Sequence, residues 1–158
     1  MAAAAVGTPL FFTAAQQEFL RGILNRIVPA GGNFPGAGDL GVAAYLDAVV
    51  GRTADLRRLF AQGLVQVTIA SLAQDGREFV NMSDDQKDAV LRHVETANPA
   101  FFEALVQHTY SGYYSHPAVV RLLGLEVWPP QPRGHHLEPF DLGLLDNITQ
   151  RGPLYRPA

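Results

Sequence analysis

Five histidines, His93, His108, His116, His135 and His136, are the first residues to weigh for chemistry. The chain has no cysteine, so thiolate nucleophiles, disulfides and Cys-ligated metal centres are excluded. His135 and His136 with Glu138 could offer two imidazoles and a carboxylate to a metal. Neighbours in an extended chain point to opposite faces, however, which makes joint ligation awkward. Ser111 and Ser115 lie near His108 and His116, yet no Gly-x-Ser-x-Gly turn surrounds either serine. Asp84, Asp85 and Asp88 are grouped at a helix start, where the dipole favours negative charge without any catalytic duty. Residues 31–38 hold four glycines and Pro35 and suggest a phosphate cradle. They follow a helix instead of a strand and no Lys-Ser/Thr closes them, so the P-loop reading fails. A helix connector whose glycines accept positive φ accounts for them. His93 reads as solvated beside Arg92, and His108 as a half-buried, hydrogen-bonded residue on a helix. Tyr110, Tyr113 and Tyr114 cluster at a helix end, either packing there or anchoring a partner. No autonomous active site is visible in these residues.

The elements that would position them are helices. Thr13 with Gln16 forms a capping box, followed by Phe19, Leu20, Ile23, Leu24 and Ile27 at helical spacing and a stop before Pro29. Asp39 is expected to cap the next helix, which carries Val42, Tyr45, Leu46 and Val49 and ends at Gly51. Thr53 opens a longer helix with Leu56, Leu59, Phe60, Leu64, Val67 and Leu72 as its apolar positions, ending near Gly76. Ser83 with Gln86 is a second capping box, ahead of Val90, Leu91 and Val94. Asn98-Pro99 starts a helix with Phe101, Phe102, Leu105, Val106 and Thr109 that runs to about Tyr114. A short last helix over 117–123 is closed by Gly124. No stretch alternates with period 2 for long enough to be a strand. The fold class is therefore all-α: one small helical domain of five or six helices, preceded by a flexible lead-in over 1–12 and spanning 13–124.

Composition agrees. The chain has 158 residues, 47% hydrophobic and 17% charged, which suits one domain with a sizeable core and excludes a disordered polymer. A net charge of −3 gives no reason to expect nucleic acid or an anionic membrane as a partner. No apolar run approaches the ~20 residues of a membrane span. Residues 1–6 are apolar but lack a positively charged stretch and make a poor signal peptide. The expectation is a cytoplasmic chain, or a periplasmic one where a leader was removed or a partner co-exports it.

After Gly124 the composition changes. Residues 125–158 hold six of the eleven prolines, including Trp128-Pro129-Pro130-Gln131-Pro132, which favours an extended, non-helical chain. The segment is also rich in large apolar residues, among them Leu125, Val127, Trp128, Leu137, Phe140, Leu144, Leu145, Ile148 and Tyr155. Disordered tails are depleted in such residues. Ordering the segment costs roughly 1–2 kcal/mol per residue in backbone entropy, which only substantial apolar burial offsets. The reading is a Pro-rich C-terminal arm laid on a partner.

The chain resembles the gluconate 2-dehydrogenase subunit 3 family, the small (gamma) subunits of bacterial flavin-dependent sugar dehydrogenases. The resemblance is carried by Arg26-Ile27-Val28-Pro29-Ala30, by Pro35-Gly36-Ala37, by Gly41-Val42 and by Tyr45-Leu46-Asp47. It continues through Phe101-Phe102, Leu105, Thr109, Gly112-Tyr113-Tyr114 and Pro117, over roughly residues 13–124. Ala118-Val119-Val120 stand where many members have Gly-Gly-Asn. The resemblance implies a non-catalytic accessory subunit with no cofactor of its own. Its partner would be a large oxidoreductase of the glucose–methanol–choline (GMC) type that holds FAD and oxidises a sugar hydroxyl by hydride transfer. Tyr113, Tyr114, Trp128, Phe140, Leu144, Leu145 and Tyr155 would be the partner-binding anchors. His135 and His136 would shape access where the arm reaches the partner's substrate entrance. Two other readings stay open. One is a ligand-binding module whose arm covers its own pocket; the other is a free-standing metal-dependent enzyme using His135, His136 and Glu138.

Overall fold

The computed structural model describes residues 11–125. The chain divides into two units, Met1–Val127 and Trp128–Ala158, and every described residue belongs to the first. Six helices follow one another: α1 (Ala14–Ile27), α2 (Val42–Val50), α3 (Ala54–Asp75), α4 (Asp84–Ala97), α5 (Pro99–Tyr114) and α6 (Pro117–Leu122). A 3₁₀ turn, Phe79–Asn81, links α3 to α4. Among the described residues, β-type pairing is limited to one isolated bridge between Gly31 and Phe34. The fold is all-α.

The expected caps explain most boundaries. Thr13–Gln16 and Ser83–Gln86 are both complete capping boxes, each satisfying two backbone donors that a helix start leaves open. The Thr53 hydroxyl accepts from Leu56 N, and Asn98 closes α4 while its side chain accepts from Phe101 N of α5. His116 caps α6 by accepting from Ala118 N through Nδ1 at 3.3 Å, a role that its spacing from Ser111 and Ser115 did not suggest.

The start of α2 departs from expectation. Its N-cap is Gly41, with φ 76°, and Asp39 does not cap it. The chain needs a left-handed residue to turn into α2, which only glycine takes without strain. That geometry leaves Asp39 two residues upstream, beside α1. There its carboxylate accepts from Arg21 Nε at 3.1 Å and Nη2 at 2.9 Å, and these bonds hold its pKa below the usual carboxylate range.

The core is one cluster drawn from every helix: Leu20, Ile23 and Leu24, then Val42, Leu46 and Val50, then Phe60, Leu64 and Val67, then Val90, Leu91 and Val94, then Phe101 and Leu105, and finally Val119. A row of rings crosses it, with Phe12–Phe60 centroids 6.2 Å apart and Phe60–Phe101 centroids 5.4 Å apart. Phe12 is a core residue, so the body begins inside what the sequence reading set aside as a lead-in; residues 1–10 lie outside the described part. Phe79 and Met82, from the linker between α3 and α4, are also buried in the core. Leu72, expected in the core, is exposed instead. The outer side of α3 also carries apolar residues, with Val65, Ile69 and Leu72 exposed. None of the described helices is long and apolar enough to cross a membrane.

Candidate functional site

Three polar constructions hold the helices in place, and the exposed surface around them is what remains for function. The first is at Asp47, 4% exposed on α2. Its Oδ1 accepts from the backbone N–H groups of Phe11 at 2.8 Å and Phe12 at 2.7 Å. Two N–H groups directed at one carboxylate oxygen make a charge-assisted clasp, and the clasp sets Phe12 against Phe60.

The second is the connector over 31–38. Ala37 N donates to Val28 O at 3.0 Å, and Gly38 N donates to Asn25 Oδ1 at 2.8 Å. From 78 positions further along the sequence, the Tyr113 hydroxyl donates to Pro35 O at 2.9 Å. The glycine-rich segment is thus a fastened corner between α1, α2 and α5, in agreement with the connector reading.

The third joins α1 to α4. Arg26 meets Asp88 with two parallel bonds, Nε to Oδ1 at 2.8 Å and Nη2 to Oδ2 at 2.9 Å, and reaches Asp84 Oδ2 through Nη1 at 2.6 Å. The paired bonds from Arg26 hold the Asp88 carboxyl below its usual range, more than offsetting a burial effect in the other direction. Asp84 and Asp88 therefore bind a cation as well as favouring the helix start. A folded carboxyl with a depressed pKa contributes stability that is present above the unfolded value, about 3.9, and is lost as pH falls through the lower folded value. We expect Arg26→Met to cost about 1–2 kcal/mol at neutral pH and to flatten the stability profile below about pH 4. Urea unfolding across pH 2–7 checks this. An unchanged acid slope in the variant would show that the contact does not carry the pH dependence.

The aromatic end of α5 divides its residues between two tasks. Tyr113 is 3% exposed and bonded to Pro35, so it acts inside the fold and has no surface to offer as an anchor. Burial, with the neighbouring Tyr114 second, pushes its phenol above the usual value. Tyr114 is 53% exposed, with Tyr110 beside it at 6.1 Å between ring centroids. Of the anchors read from the sequence, Tyr114 is the one that the described surface presents. Trp128, Phe140, Leu144, Leu145 and Tyr155 lie outside the described residues, as do His135, His136 and Glu138.

His93 is exposed and His108 half-buried, each on a helix. Among the described residues, no group of three His, Cys, Asp or Glu side chains is placed to hold a metal ion. The sequence reading named Asp47 only within Tyr45-Leu46-Asp47, with no role, and missed the outward residues Val65 and Ile69. A carboxylate set among the apolar positions of α2 was the available signal for Asp47. The signal for Val65 and Ile69 was a helix apolar beyond one stripe.

No curated protein and no solved structure matches the chain. The family model described as Gluconate 2-dehydrogenase subunit 3 matches residues 14–129, from the first residue of α1 to beyond the end of α6. The chain belongs to the gluconate 2-dehydrogenase subunit 3 family.

Proposed function

We propose that this chain is a non-catalytic accessory subunit that binds and stabilises a large FAD-dependent oxidoreductase of the GMC type. The large subunit would hold the flavin and the general base and take a hydride from a sugar hydroxyl. The small subunit would supply a fitted surface. The family match across the whole helical body carries this reading, since the family is named as one subunit of a dehydrogenase. The charged groups that do converge support it. Arg26 with Asp84 and Asp88, and Asp47 with the Phe11 and Phe12 backbone, each join separate parts of the fold. On this reading Tyr114, Trp128, Phe140, Leu144, Leu145 and Tyr155 are contact residues, in keeping with the aromatic bias of binding hot spots.

The test is co-expression of the tagged full chain with the FAD-dependent large subunit of its own organism, followed by size exclusion read at 280 and 450 nm. We expect one peak carrying both chains and the flavin spectrum, with the small subunit released when residues 125–158 are removed. A colourless small subunit that elutes alone, beside a large subunit folded and active without it, would overturn the proposal.

A further inference from the structure

Among the described residues, the outer side of the longest helix, α3, is exposed, and that side has an unusual makeup. Between Arg58 and Asp75, residues 59–74 of α3 include no charged residue. On the outward side Ala61, Val65, Ile69 and Leu72 follow one another at helical spacing, with Val65 57% and Ile69 60% exposed. Single exposed apolar residues are ordinary on any surface, but a contiguous row is not. The exposed side of α4 shows the usual alternative, with Asp85, Arg92, His93 and Glu95 facing solvent. Depletion of charge, more than apolarity itself, marks the centre of a protein–protein interface. Both ends of the row are charged: Asp55, Arg57 and Arg58 before it, and Asp75, Arg77 and Glu78 after it, all exposed. An uncharged centre between charged ends is the anatomy of a contact patch with its rim.

Beside the row lies a cavity of about 390 Å³, lined by Phe19, Thr68, Ser71, Phe79 and Val80 together with Glu18 and Glu78. The rings of Phe19 and Phe79 meet edge to face at 5.6 Å and give it an apolar wall. Glu18 also pairs with Arg21 at 3.3 Å, an exposed pair whose cation offsets part of its charge, while Glu78 is in no ion pair with a described residue. Apolar walls and carboxylates suit an arginine or lysine, whose stem packs on rings while its head meets the carboxylates.

We propose that the outward side of α3 with the Phe19–Phe79 cavity is a docking face for the dehydrogenase's large subunit, which would lay an uncharged apolar segment along Val65, Ile69 and Leu72 and insert a basic side chain between Glu18 and Glu78. This rests on the accessory-subunit reading above and adds to it a second contact on the helical body, distinct from the C-terminal arm.

The test compares full-length chains for binding to the large subunit: wild type, Val65→Glu/Ile69→Glu, Glu18→Lys/Glu78→Lys, and His93→Glu as a control on the exposed side of α4. Circular dichroism and thermal melts of the isolated chains report folding, which substitutions at exposed positions should leave intact. Both double variants should bind at least about tenfold more weakly with unchanged melting, and the control should bind like wild type. Wild-type affinity in Val65→Glu/Ile69→Glu would overturn the docking face while leaving the accessory-subunit reading standing. Failure of the wild type to bind would remove that reading and this one with it. Two further outcomes would overturn the face by giving it another occupant. One is an isolated chain that is dimeric in wild type and monomeric in Val65→Glu/Ile69→Glu, with large-subunit affinity unchanged. The other is amide exchange over 65–72 that accelerates when residues 126–158 are removed from the isolated chain.

Discussion

Gly63→Ala is expected to destabilise the protein by about 2–3 kcal/mol, although alanine is the better helix former by about 1 kcal/mol. Gly63 sits in the buried side of α3, and a Cβ built there would overlap Cγ and Cδ2 of Phe101 on α5. That ring has little room to retreat, because Phe60 meets it edge to face at 5.4 Å, with the planes at 82°, and Phe12 lies behind Phe60. Close-packed interiors respond to one added methyl by straining rotamers or backbone, so overpacking outweighs the gain in propensity. A fall of roughly 10 °C in Tm corresponds to that loss for a body of this size. The decisive measurement is the cycle with Phe101→Leu. A smaller side chain should make room for the methyl, so the double variant should cost at least about 1 kcal/mol less than the sum of its parts. Simple additivity would show that the two residues do not compete for space.

Asp47→Ala is the second large loss, at about 3 kcal/mol. It removes the acceptor for two backbone donors at once, and each donor left without a partner away from water costs about 1–3 kcal/mol. The loss extends to packing, because those two bonds hold Phe12 against Phe60. Asp47→Asn keeps an oxygen of the same shape in place and should cost about 1 kcal/mol. Urea titrations distinguish a clasp from a generic core residue. If residues 11 and 12 detach in the alanine variant, its folded state buries less surface, and the m-value should fall together with the midpoint. Equal stability of the alanine and asparagine variants would show that the carboxylate does not hold the chain start.

How much of this was legible depended on whether the cause was local. Thr13 with Gln16, Ser83 with Gln86 and Asn98-Pro99 act within three residues, and each marked its helix start correctly. Asp39 looked like the same kind of signal. A partner 18 residues away, Arg21, took its side chain, and the corner at Gly41 settled where α2 begins. Phe11 and Phe12 precede any periodic pattern, so nothing local tied them to the core; the tie is an oxygen on Asp47, at the middle of another helix. Gly63 was silent because a residue without a side chain shows its purpose only when a ring from α5 is known to lie on it. The surface was read least well. Helical spacing names the side of α3 that turns inward, through Phe60, Leu64 and Val67, but it cannot announce that the opposite side is apolar and left open.

The hydroxyl bond from Tyr113 to Pro35 spans 78 positions of sequence and ends on the segment with the highest glycine density in the described chain. The Ala37 amide is also bonded to Val28, the C-cap of α1, and the Gly38 amide to Asn25 within it. The corner therefore fastens α1, α2 and the far end of α5 to one another, and the backbone freedom of four glycines is spent on a fixed joint.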